Sequence, residues 1–297
     1  MSNKDNRKGI LLAGGIGSRL NPITKVISKQ LVPIYDKPMI YYPLTTLMLM
    51  GVEEILIITT PEFLALYKKL LGDGKHLGIS IKYAIQEKPN GLPEAFIIGE
   101  EFIDDSPVVL ILGDNLFHGN ELLVNLKNAS SSKQGGTIFA YSVRDPERYG
   151  VATFDSKNQV IDIKEKPLNS ESNWAITGLY LYDQSVVQRS KNLKPSERGE
   201  LEITDLNMSY LHDGLLNIEI MGRGMVWLDT GSFDSLHEAS SYIRTLEHRQ
   251  GLKVGCPEEV SWRLGLIDSQ QLERNARNLI NSGYGEYLMK LIEKNNI

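Results

Sequence analysis

Short apolar runs and amphipathic segments alternate along the first half of the chain. The runs predict strands at residues 8–13, 54–60, 79–86, 107–112 and 136–142, and the amphipathic segments predict helices at 39–50, 61–71, 92–102 and 120–130. This β-α-β-α order predicts a parallel or mixed sheet with helices on both faces. The runs Ile55–Ile58 and Val108–Leu112 are apolar without alternation, which is typical of strands buried on both faces.

The second half of the chain is richer in strand-like runs. Residues 149–155, 160–165 and 174–182 predict strands, and Lys157-Asn158 predicts a hairpin turn between the first two. The segment Thr204-Asp205-Leu206 predicts a helix start. From Ser232 the pattern is mostly helical, and we expect the part from about Gly251 to be a helical appendage on one compact body.

Composition narrows the class of protein. The chain has 297 residues, 41% of them hydrophobic and 23% charged, as in ordinary globular proteins. Its net charge is -5 and it contains no block of Lys and Arg, so we expect no nucleic-acid partner. A polyanionic ligand would therefore have to be held by a few placed cations or by a metal.

The chain shows no targeting or membrane signal. Its first eight residues are polar, and no apolar stretch approaches the roughly 18–20 residues of a membrane span. Its single cysteine, Cys256, excludes an intrachain disulfide and is compatible with a reducing compartment. We expect a cytoplasmic protein.

A glycine-rich loop follows the first predicted strand and predicts an anion site. Gly14, Gly15 and Gly17 let backbone N–H groups approach a phosphate, and Arg19 adds a planar cationic donor. The loop matches neither the Walker A nor the G-x-G-x-x-G pattern, and the alternative is a tight turn with a surface arginine. Lys29, on the far side of the same turn, is a second cation for a chain of phosphates.

Two carboxylates follow apolar runs and predict a metal site. Asp114 ends the strand predicted at 107–112, and Asp229 precedes a glycine turn. Mg²⁺ is commonly bound by one or two carboxylates together with substrate phosphates. Each aspartate alone could instead be a helix N-cap or an Asx-turn residue. The five histidines and one cysteine show no metal-ligand spacing, and no nucleophile elbow is present.

Longer collinear motifs then carry a family resemblance over residues from about Lys8 to the C-terminus. They include Gly14-Gly15-x-Gly17-x-Arg19-Leu20, Ser28-Lys29-Gln30-Leu31, Gln86-Glu87-Lys88-Pro89-Asn90-Gly91-Leu92, Leu112-Gly113-Asp114-Asn115, Glu165-Lys166-Pro167, Arg198-Gly199-Glu200-Leu201-Glu202 and Trp227-Leu228-Asp229-Thr230-Gly231. This set resembles the sugar-nucleotide pyrophosphorylase family, and within it the long-form thymidylyltransferases that act on glucose 1-phosphate.

The resemblance implies a fold and a reaction. The fold would be a Rossmann-like, mixed but mostly parallel central sheet flanked by helices, with a nucleotide-binding part at about 1–143, a sugar-binding part at 144–250 and a C-terminal extension at 251–297. The reaction would join dTTP and α-D-glucose 1-phosphate, with Mg²⁺, to give dTDP-glucose and pyrophosphate. The resemblance also implies a homotetramer, a first step towards dTDP-L-rhamnose, and feedback by a nucleotide-sugar such as dTDP-rhamnose.

The resemblance also implies roles for individual residues. The catalytic set is Arg19, Lys29, Lys166, Asp114 and Asp229, of which Asp114 and Asp229 would hold Mg²⁺. The nucleotide set is Leu12, Gly14, Gly15, Gly17, Ser18, Gln86, Pro89, Gly91 and Leu92. The sugar set is Asn115, Tyr149, Gly150, Glu165, Ile176 and Thr177. The regulatory set is Leu116, Phe117, His118, Gly119, Arg223, Val254, Gly255, Cys256, Glu259 and Arg263.

The chain departs from the family pattern at three places. Ile16 stands where the loop usually has a small polar residue, and Pro93-Glu94 replaces the usual Ala-Gln. Residues 117–120 replace an aromatic-Tyr-Gly-His run. Two other functions stay open: a uridylyltransferase, because thymine and uracil differ by one methyl, and a catalytically silent sugar-nucleotide sensor. The retained cations and carboxylates argue against the sensor.

Overall fold

The computed structural model describes residues 7–15, 17–157 and 159–295. Ile16, Asn158 and the polar residues 1–6, on which sequence expectations fall, lie outside the described residues. The strands are β1 Lys8–Ala13, β2 Pro33–Ile34, β3 Lys37–Pro38, β4 Glu54–Thr59, β5 Ser80–Ile85, β6 Val108–Leu112, β7 Leu116–His118, β8 Gly136–Ser142, β9 Gly150–Phe154, β10 Val160–Glu165, β11 Trp174–Tyr182, β12 Leu216–Met221 and β13 Val226–Leu228.

The helices surround the sheet and continue to the C-terminus. They are α1 Tyr41–Leu49, α2 Leu64–Leu71, α3 Glu94–Ile98, α4 Glu100–Ile103, α5 Leu122–Ser131, α6 Val186–Asn192, α7 Ile203–His212, α8 Phe233–Gln250, α9 Pro257–Arg263, α10 Ser269–Asn278 and α11 Gly283–Asn295. No helix in the described part of the chain combines the length and the apolar character needed to cross a membrane.

A mixed central sheet organises the fold, as predicted. Among the described residues it runs β10-β9-β11-β6-β1-β4-β5, and β8 joins β11 to β12. Strands β6, β1, β4 and β5 are mutually parallel, whereas β11 is antiparallel to β6. The side chains of β1, β4 and β6 pack into two apolar clusters, one on each face of the sheet. Burial on both faces explains why these runs lack polar alternation.

Differences from the predicted bounds have local causes. Helix α1 begins at Tyr41 because the N–H of Met39 is bonded to the carbonyl of Val32 at 3.0 Å. Pro43 lies in the first turn of α1, where its missing N–H costs no helical bond. The helix predicted at 92–102 is divided at Gly99 into α3 and α4. The strands predicted at 8–13, 136–142, 160–165 and 174–182 have the predicted bounds.

A short ribbon outside the main sheet was not predicted. Strands β7 and β13 pair antiparallel, with Leu116 opposite Leu228 and His118 opposite Val226. We call this pair the β7–β13 ribbon. One end of the ribbon joins Asp114 and Asp229, because β7 begins just after Asp114 and β13 ends just before Asp229. The ribbon therefore ties the two predicted metal ligands to one hydrogen-bonded unit.

The chain after Ser232 is mainly α-helical, as its sequence pattern predicted. Helix α8 begins with a Ser232–Ser235 capping box and ends at Gly251, which adopts a left-handed φ of 68°. Helices α9, α10 and α11 share an apolar cluster that includes Leu272 and Leu288 and packs against Tyr41 of α1. The C-terminal segment thus rests directly on the helix that follows the β2–β3 turn.

Candidate functional site

A cavity of about 280 Å³ opens beside the carboxyl end of β1. Its wall comes from the glycine-rich loop, the loop after β5, the end of β10 and the segment before α7. The lining residues are Leu12, Gly14, Gly15, Gln86, Pro89, Gly91, Leu92, Glu165, Lys166, Arg198, Glu200, Leu201, Glu202 and Ile203. The fold thus brings most of the predicted nucleotide set to the same cavity as two residues of the predicted sugar and catalytic sets.

Gly91 joins two walls of this cavity. Its φ is 109°, and a Cβ added to it would lie 2.0 Å from the carbonyl oxygen of Leu201. The N–H of Leu201 donates to the carbonyl of Asn90 at 2.8 Å. Because the two backbones approach so closely, only glycine fits here.

Charged side chains gather at the carboxyl edge of the sheet, where the glycine-rich loop follows β1 and Asp114 follows β6. The Lys29 ammonium is buried and lies 2.5 Å from an Asp114 carboxylate oxygen and 3.5 Å from the Asp229 carbonyl oxygen. Arg148 donates to the Asp229 carboxylate at 3.1 Å. The Arg19 guanidinium and the Asp229 carboxylate both lie within 3.3 Å of the Cβ position of Gly231. Four of the five predicted catalytic residues, Arg19, Lys29, Asp114 and Asp229, therefore occupy one small region.

Hydrogen bonds from Asn115 and Thr230 hold Asp114 in place. The Asn115 amide donates to Asp114 at 2.8 Å, and its oxygen accepts from the N–H of Gly178 at 3.0 Å and from the Trp227 indole at 2.5 Å. The Thr230 hydroxyl donates to the Asp114 carbonyl at 2.7 Å. These protein groups fix the position of the Asn115 side chain, which is predicted to contact the sugar.

The end of β10 presents Glu165 and Lys166 towards the cavity. Lys166 has a left-handed φ of 43°, a strained conformation for a residue with a side chain, and its N–H donates to the Tyr149 carbonyl at 2.9 Å. The Thr204 hydroxyl donates to the Glu165 carboxylate at 2.6 Å, beside Gly150. The Lys166 ammonium lies 3.4 Å from a Glu165 carboxylate oxygen, and about half of the Lys166 side chain is exposed.

Of the remaining predicted sugar residues, Ile176 and Thr177 lie on β11. Both are buried, and Ile176 lies 4.0 Å from the Cβ position of Gly150. The Thr177 hydroxyl is buried without a hydrogen-bond partner among the described atoms. Tyr149 packs its ring against Trp227, with the ring centroids 5.1 Å apart. Burial, and then the carboxylates of Glu165 and Asp114, raise the pKa of the neighbouring Tyr180.

Sequence reasoning about single sites missed the segment before α7. Arg198 pairs with Glu202 at 2.7 Å and approaches Glu165 at 3.4 Å. Burial, followed by the charges of Glu202 and Glu165, raises the pKa of Asp205. The motif at 198–205 was noted in the family resemblance, yet no pattern within it indicated contact with Gly91. Those contacts depend on how the chain returns from α6.

A second cavity of about 570 Å³ lies between α1, β7 and α9. Of the predicted regulatory set it is lined by Phe117, His118, Val254, Gly255, Cys256, Glu259 and Arg263. Leu116 is buried nearby, Gly119 follows β7, and Arg223 lies in the turn after β12. Arg263 donates to Glu259 at 2.7 Å, and burial lowers the pKa of His118.

An ionic cluster that contains the buried Lys37 and Glu247 lies beside the second cavity. The Lys37 ammonium is 2.7 Å from Glu247 and 2.6 Å from Asp36, while Lys253 bonds to both carboxylates. Glu247 also accepts the N–H of Val254 at 3.0 Å. We call these four charged residues the Lys37–Glu247 cluster. It fastens the end of α8 to the β2–β3 turn.

Comparison with known proteins identifies the family. A family model described as nucleotidyl transferase matches residues 8–245. The chain belongs to the nucleotidyl transferase family. It is 54% identical, over 97% of its length and 100% of the relative's, to a protein of Neisseria meningitidis serogroup A named glucose-1-phosphate thymidylyltransferase. It is 56% identical, over 97% and 98%, to a protein of the same name from Xanthomonas campestris pv. campestris strain B100.

Solved structures of nucleotidyl transferases share the fold. One is a candidate glucose-1-phosphate thymidylyltransferase of Bacillus anthracis in complex with sucrose, at 42% identity and a TM-score of 0.75, covering 80% of this chain and 95% of that one. Another is a UDP-glucose pyrophosphorylase with UDP-glucose, at 26% identity and a TM-score of 0.69, covering 81% and 99%. The predicted fold class, a mostly parallel sheet flanked by helices, is confirmed.

Proposed function

We propose that the chain is a glucose-1-phosphate thymidylyltransferase, which converts dTTP and α-D-glucose 1-phosphate into dTDP-glucose and pyrophosphate. The observation that carries the proposal is the single cavity that has Gln86 and Gly91 in one wall and Glu165 and Lys166 in another. Relatives more than 50% identical over nearly the whole chain carry this enzyme name. The product would enter dTDP-L-rhamnose synthesis.

The reaction joins two anions, so charge repulsion is the first obstacle. An oxygen of the sugar phosphate attacks the α-phosphorus, a new P–O bond forms, and the bond to pyrophosphate breaks on the opposite side. Two unit charges ~4 Å apart repel by ~1 kcal/mol in water and by ~4 kcal/mol at an effective dielectric of 20. A phosphate dianion is already a nucleophile and needs no general base. Catalysis then consists of positioning and electrostatic stabilisation.

The residues of the site divide this work. Arg19 and Lys29 bind the β- and γ-phosphates and the departing pyrophosphate, while Lys166 binds the sugar phosphate. Gln86 and Gly91 contact the base. The remaining assigned groups are Leu12, Gly14, Gly15, Gly17, Ser18, Pro89 and Leu92 for the nucleotide, and Asn115, Tyr149, Gly150, Glu165, Ile176 and Thr177 for the sugar.

The donor set fits Mg²⁺. The Asp114 carboxylate lies beside Lys29, and the Asp229 backbone carbonyl approaches the same ammonium while the Asp229 carboxylate accepts from Arg148. Mg²⁺ is commonly bound by one or two carboxylates together with phosphate oxygens and water. The described residues contain no group of three or more side chains able to form an all-protein metal cage. A bound Mg²⁺ would neutralise phosphate charge. Asp114 and Asp229 would hold it, and Asn115 and Thr230 would keep Asp114 oriented for that role.

The decisive test measures pyrophosphate release from each nucleoside triphosphate with each sugar 1-phosphate. We expect the highest kcat/KM with dTTP and glucose 1-phosphate, and a smaller value with UTP, because one methyl group in an apolar pocket is worth about 1–3 kcal/mol. Preference for UTP would favour the uridylyltransferase, whose solved homologue is only 26% identical. No release with any pair would favour a silent sugar-nucleotide sensor.

The second cavity is the proposed regulatory site. Its position between α9 and the β7–β13 ribbon supports control of the catalytic carboxylates by a nucleotide-sugar such as dTDP-rhamnose. Arg263 supplies a cation for a phosphate. We expect dTDP-rhamnose to inhibit the wild-type enzyme and to inhibit Arg263→Ala less strongly. Equal inhibition of both proteins would remove Arg263 from the site.

We also propose the assembly, the location and the division of the chain. A homotetramer, measured by light scattering of the purified protein, would agree with the family resemblance.

The proposed location is the cytoplasm, which supplies both substrates. The nucleotide part at 1–143, the sugar part at 144–250 and the extension at 251–297 form one functional unit. Fractionation of cells that express the full chain tests the location.

A further inference from the structure

Three polar side chains form a fixed arrangement at the base-contacting end of the cavity. The Glu94 carboxylate accepts from the Gln86 amide nitrogen at 2.7 Å and from the Asn90 amide nitrogen at 2.7 Å, each on a different oxygen. Gln86 is buried, with 4% of its surface exposed. Glu94 lies in the first turn of α3, just after Pro93.

The chemistry of a carboxylate fixes the orientation of both amides. An ionised carboxylate accepts hydrogen bonds and has none to donate. An amide oxygen turned towards Glu94 would face a negative charge without a proton between them. Gln86 must therefore direct its amide nitrogen to Glu94. The nitrogen and oxygen of an amide have similar shapes, so it is the carboxylate partner that decides between the two orientations.

The other end of the Gln86 amide consequently presents its oxygen to the cavity wall. This oxygen lies 2.5 Å from the position that a Cβ on Gly14 would take, and Gly14 and Gln86 both line the cavity. A base whose N3 meets this oxygen is bound well only if that nitrogen carries a proton. Thymine and uracil carry a proton on N3, whereas cytosine carries its N–H groups on the exocyclic N4 and has an unprotonated acceptor at N3.

We propose that Glu94 is a positioning residue for base selection: it holds the Gln86 amide so that an acceptor faces the base, and this excludes cytosine. The inference rests on the proposed function, since it assumes that the nucleotide base lies against Gln86. Glutamine, the residue usual at this position in the family that the chain resembles, has one acceptor oxygen and one donor group. It therefore leaves both orientations of Gln86 open.

The test compares Glu94→Gln with the matched control Glu101→Gln, an exposed glutamate on α4. We expect Glu94→Gln to lower the ratio of kcat/KM for dTTP to that for dCTP about tenfold or more, the value of one hydrogen bond in a buried site. The change should lie in KM for the nucleotide, with kcat for dTTP and KM for glucose 1-phosphate nearly unchanged. A ratio equal to that of Glu101→Gln would overturn the proposal.

Calorimetric binding of dTTP and dCTP in the absence of sugar phosphate separates the two proposals. If the wild-type protein made no product, the proposed function would fail. The ratio of the dTTP affinity to the dCTP affinity, compared between Glu94→Gln and the wild-type protein, would still decide the role of Glu94. A reduced discrimination in binding supports that role, and unchanged discrimination, with the variant folded as judged by circular dichroism, refutes it.

Discussion

The Lys29 ammonium lies 2.5 Å from a carboxylate oxygen of Asp114. The cation assigned to the triphosphate and the carboxylate assigned to the metal thus form one ion pair at the edge of the sheet. The stem of Lys29 lies against Gly17, so the glycine-rich loop also determines where this cation sits. Binding of a metal nucleotide would exchange this internal pair for contacts between each partner and the substrate.

Loss of the Lys29 charge should damage turnover without unfolding the protein. We expect Lys29→Ala to lower kcat/KM for dTTP about 10²–10³-fold, the range for removal of one charge-stabilising group in an active site. The exposed Lys25, four residues earlier, gives the matched control Lys25→Ala. Equal rates for the two variants would remove Lys29 from the phosphate site.

Lys166 should act on the sugar substrate. It has a strained backbone and lines the cavity beside Glu165. We expect Lys166→Ala to raise KM for glucose 1-phosphate at least about tenfold, since a charge-assisted hydrogen bond is worth about 1.5–3 kcal/mol, and to change KM for dTTP little. Lys164→Ala, on the exposed face of the same strand, is the control. Normal steady-state kinetics for Lys166→Ala would contradict the assignment.

The two aspartates should govern metal dependence. We expect Asp114→Asn with Asp229→Asn to abolish Mg²⁺-dependent turnover, because amide oxygens carry no net charge to hold the ion. The rate is measured against Mg²⁺ concentration, with Asp213→Asn as a control at a surface ion pair with Arg189. Turnover with wild-type Mg²⁺ dependence in the double variant would exclude both residues as ligands.

The Lys37–Glu247 cluster should contribute to stability. Glu247→Gln leaves the buried Lys37 without one of its two carboxylates, and loss of one partner of a buried pair costs about 3–5 kcal/mol. We expect a lower urea midpoint for this variant than for Glu238→Gln, on the exposed face of the same helix. Equal midpoints would show that Asp36 alone suffices to balance the buried Lys37 charge.

The same cluster predicts a dependence of stability on acid. Burial raises the pKa of Asp36, but hydrogen bonds from Lys253 and Lys37 outweigh it and lower the pKa below the ordinary 3.8. The ionised form is therefore favoured in the folded state, so this stability is present above pH 3.8 and is lost as the pH falls through the folded value. Asp36→Asn should lose this part of the acid dependence in urea unfolding. An identical pH profile would contradict it.

The central sheet could be predicted because burial on both faces leaves its mark on each strand separately. β1 and β6 are short apolar runs that are each followed by glycine, so the sequence predicts both their position and the edge of the sheet that binds the ligand. The β7–β13 ribbon could not be predicted. Each of its strands has only three residues, which is too short to show a hydrophobic period, and the pairing of Leu116 with Leu228 joins distant parts of the chain. The roles of single site residues stay predictions until tested.

The contacts between the walls of the cavity could not be predicted from the sequence for a related reason. Gly91 was predicted to bind the base, but its approach to Leu201 depends on the return of the chain from α6. The partners of Asn115 likewise belong to β11 and β13. Local patterns identify which residues are chemically capable, whereas their neighbours are decided by tertiary packing.

The β7–β13 ribbon fixes the spacing between Asp114 and Asp229 independently of their position relative to Lys29. Because Asp114 and Asp229 extend from opposite strands of one ladder, their mutual spacing is set by backbone hydrogen bonds. A tilt of the ribbon, whose His118 end borders the second cavity, would carry both carboxylates as a rigid pair relative to Lys29. Such a tilt would change the orientation of the proposed metal ligands relative to Lys29 while keeping the spacing between them.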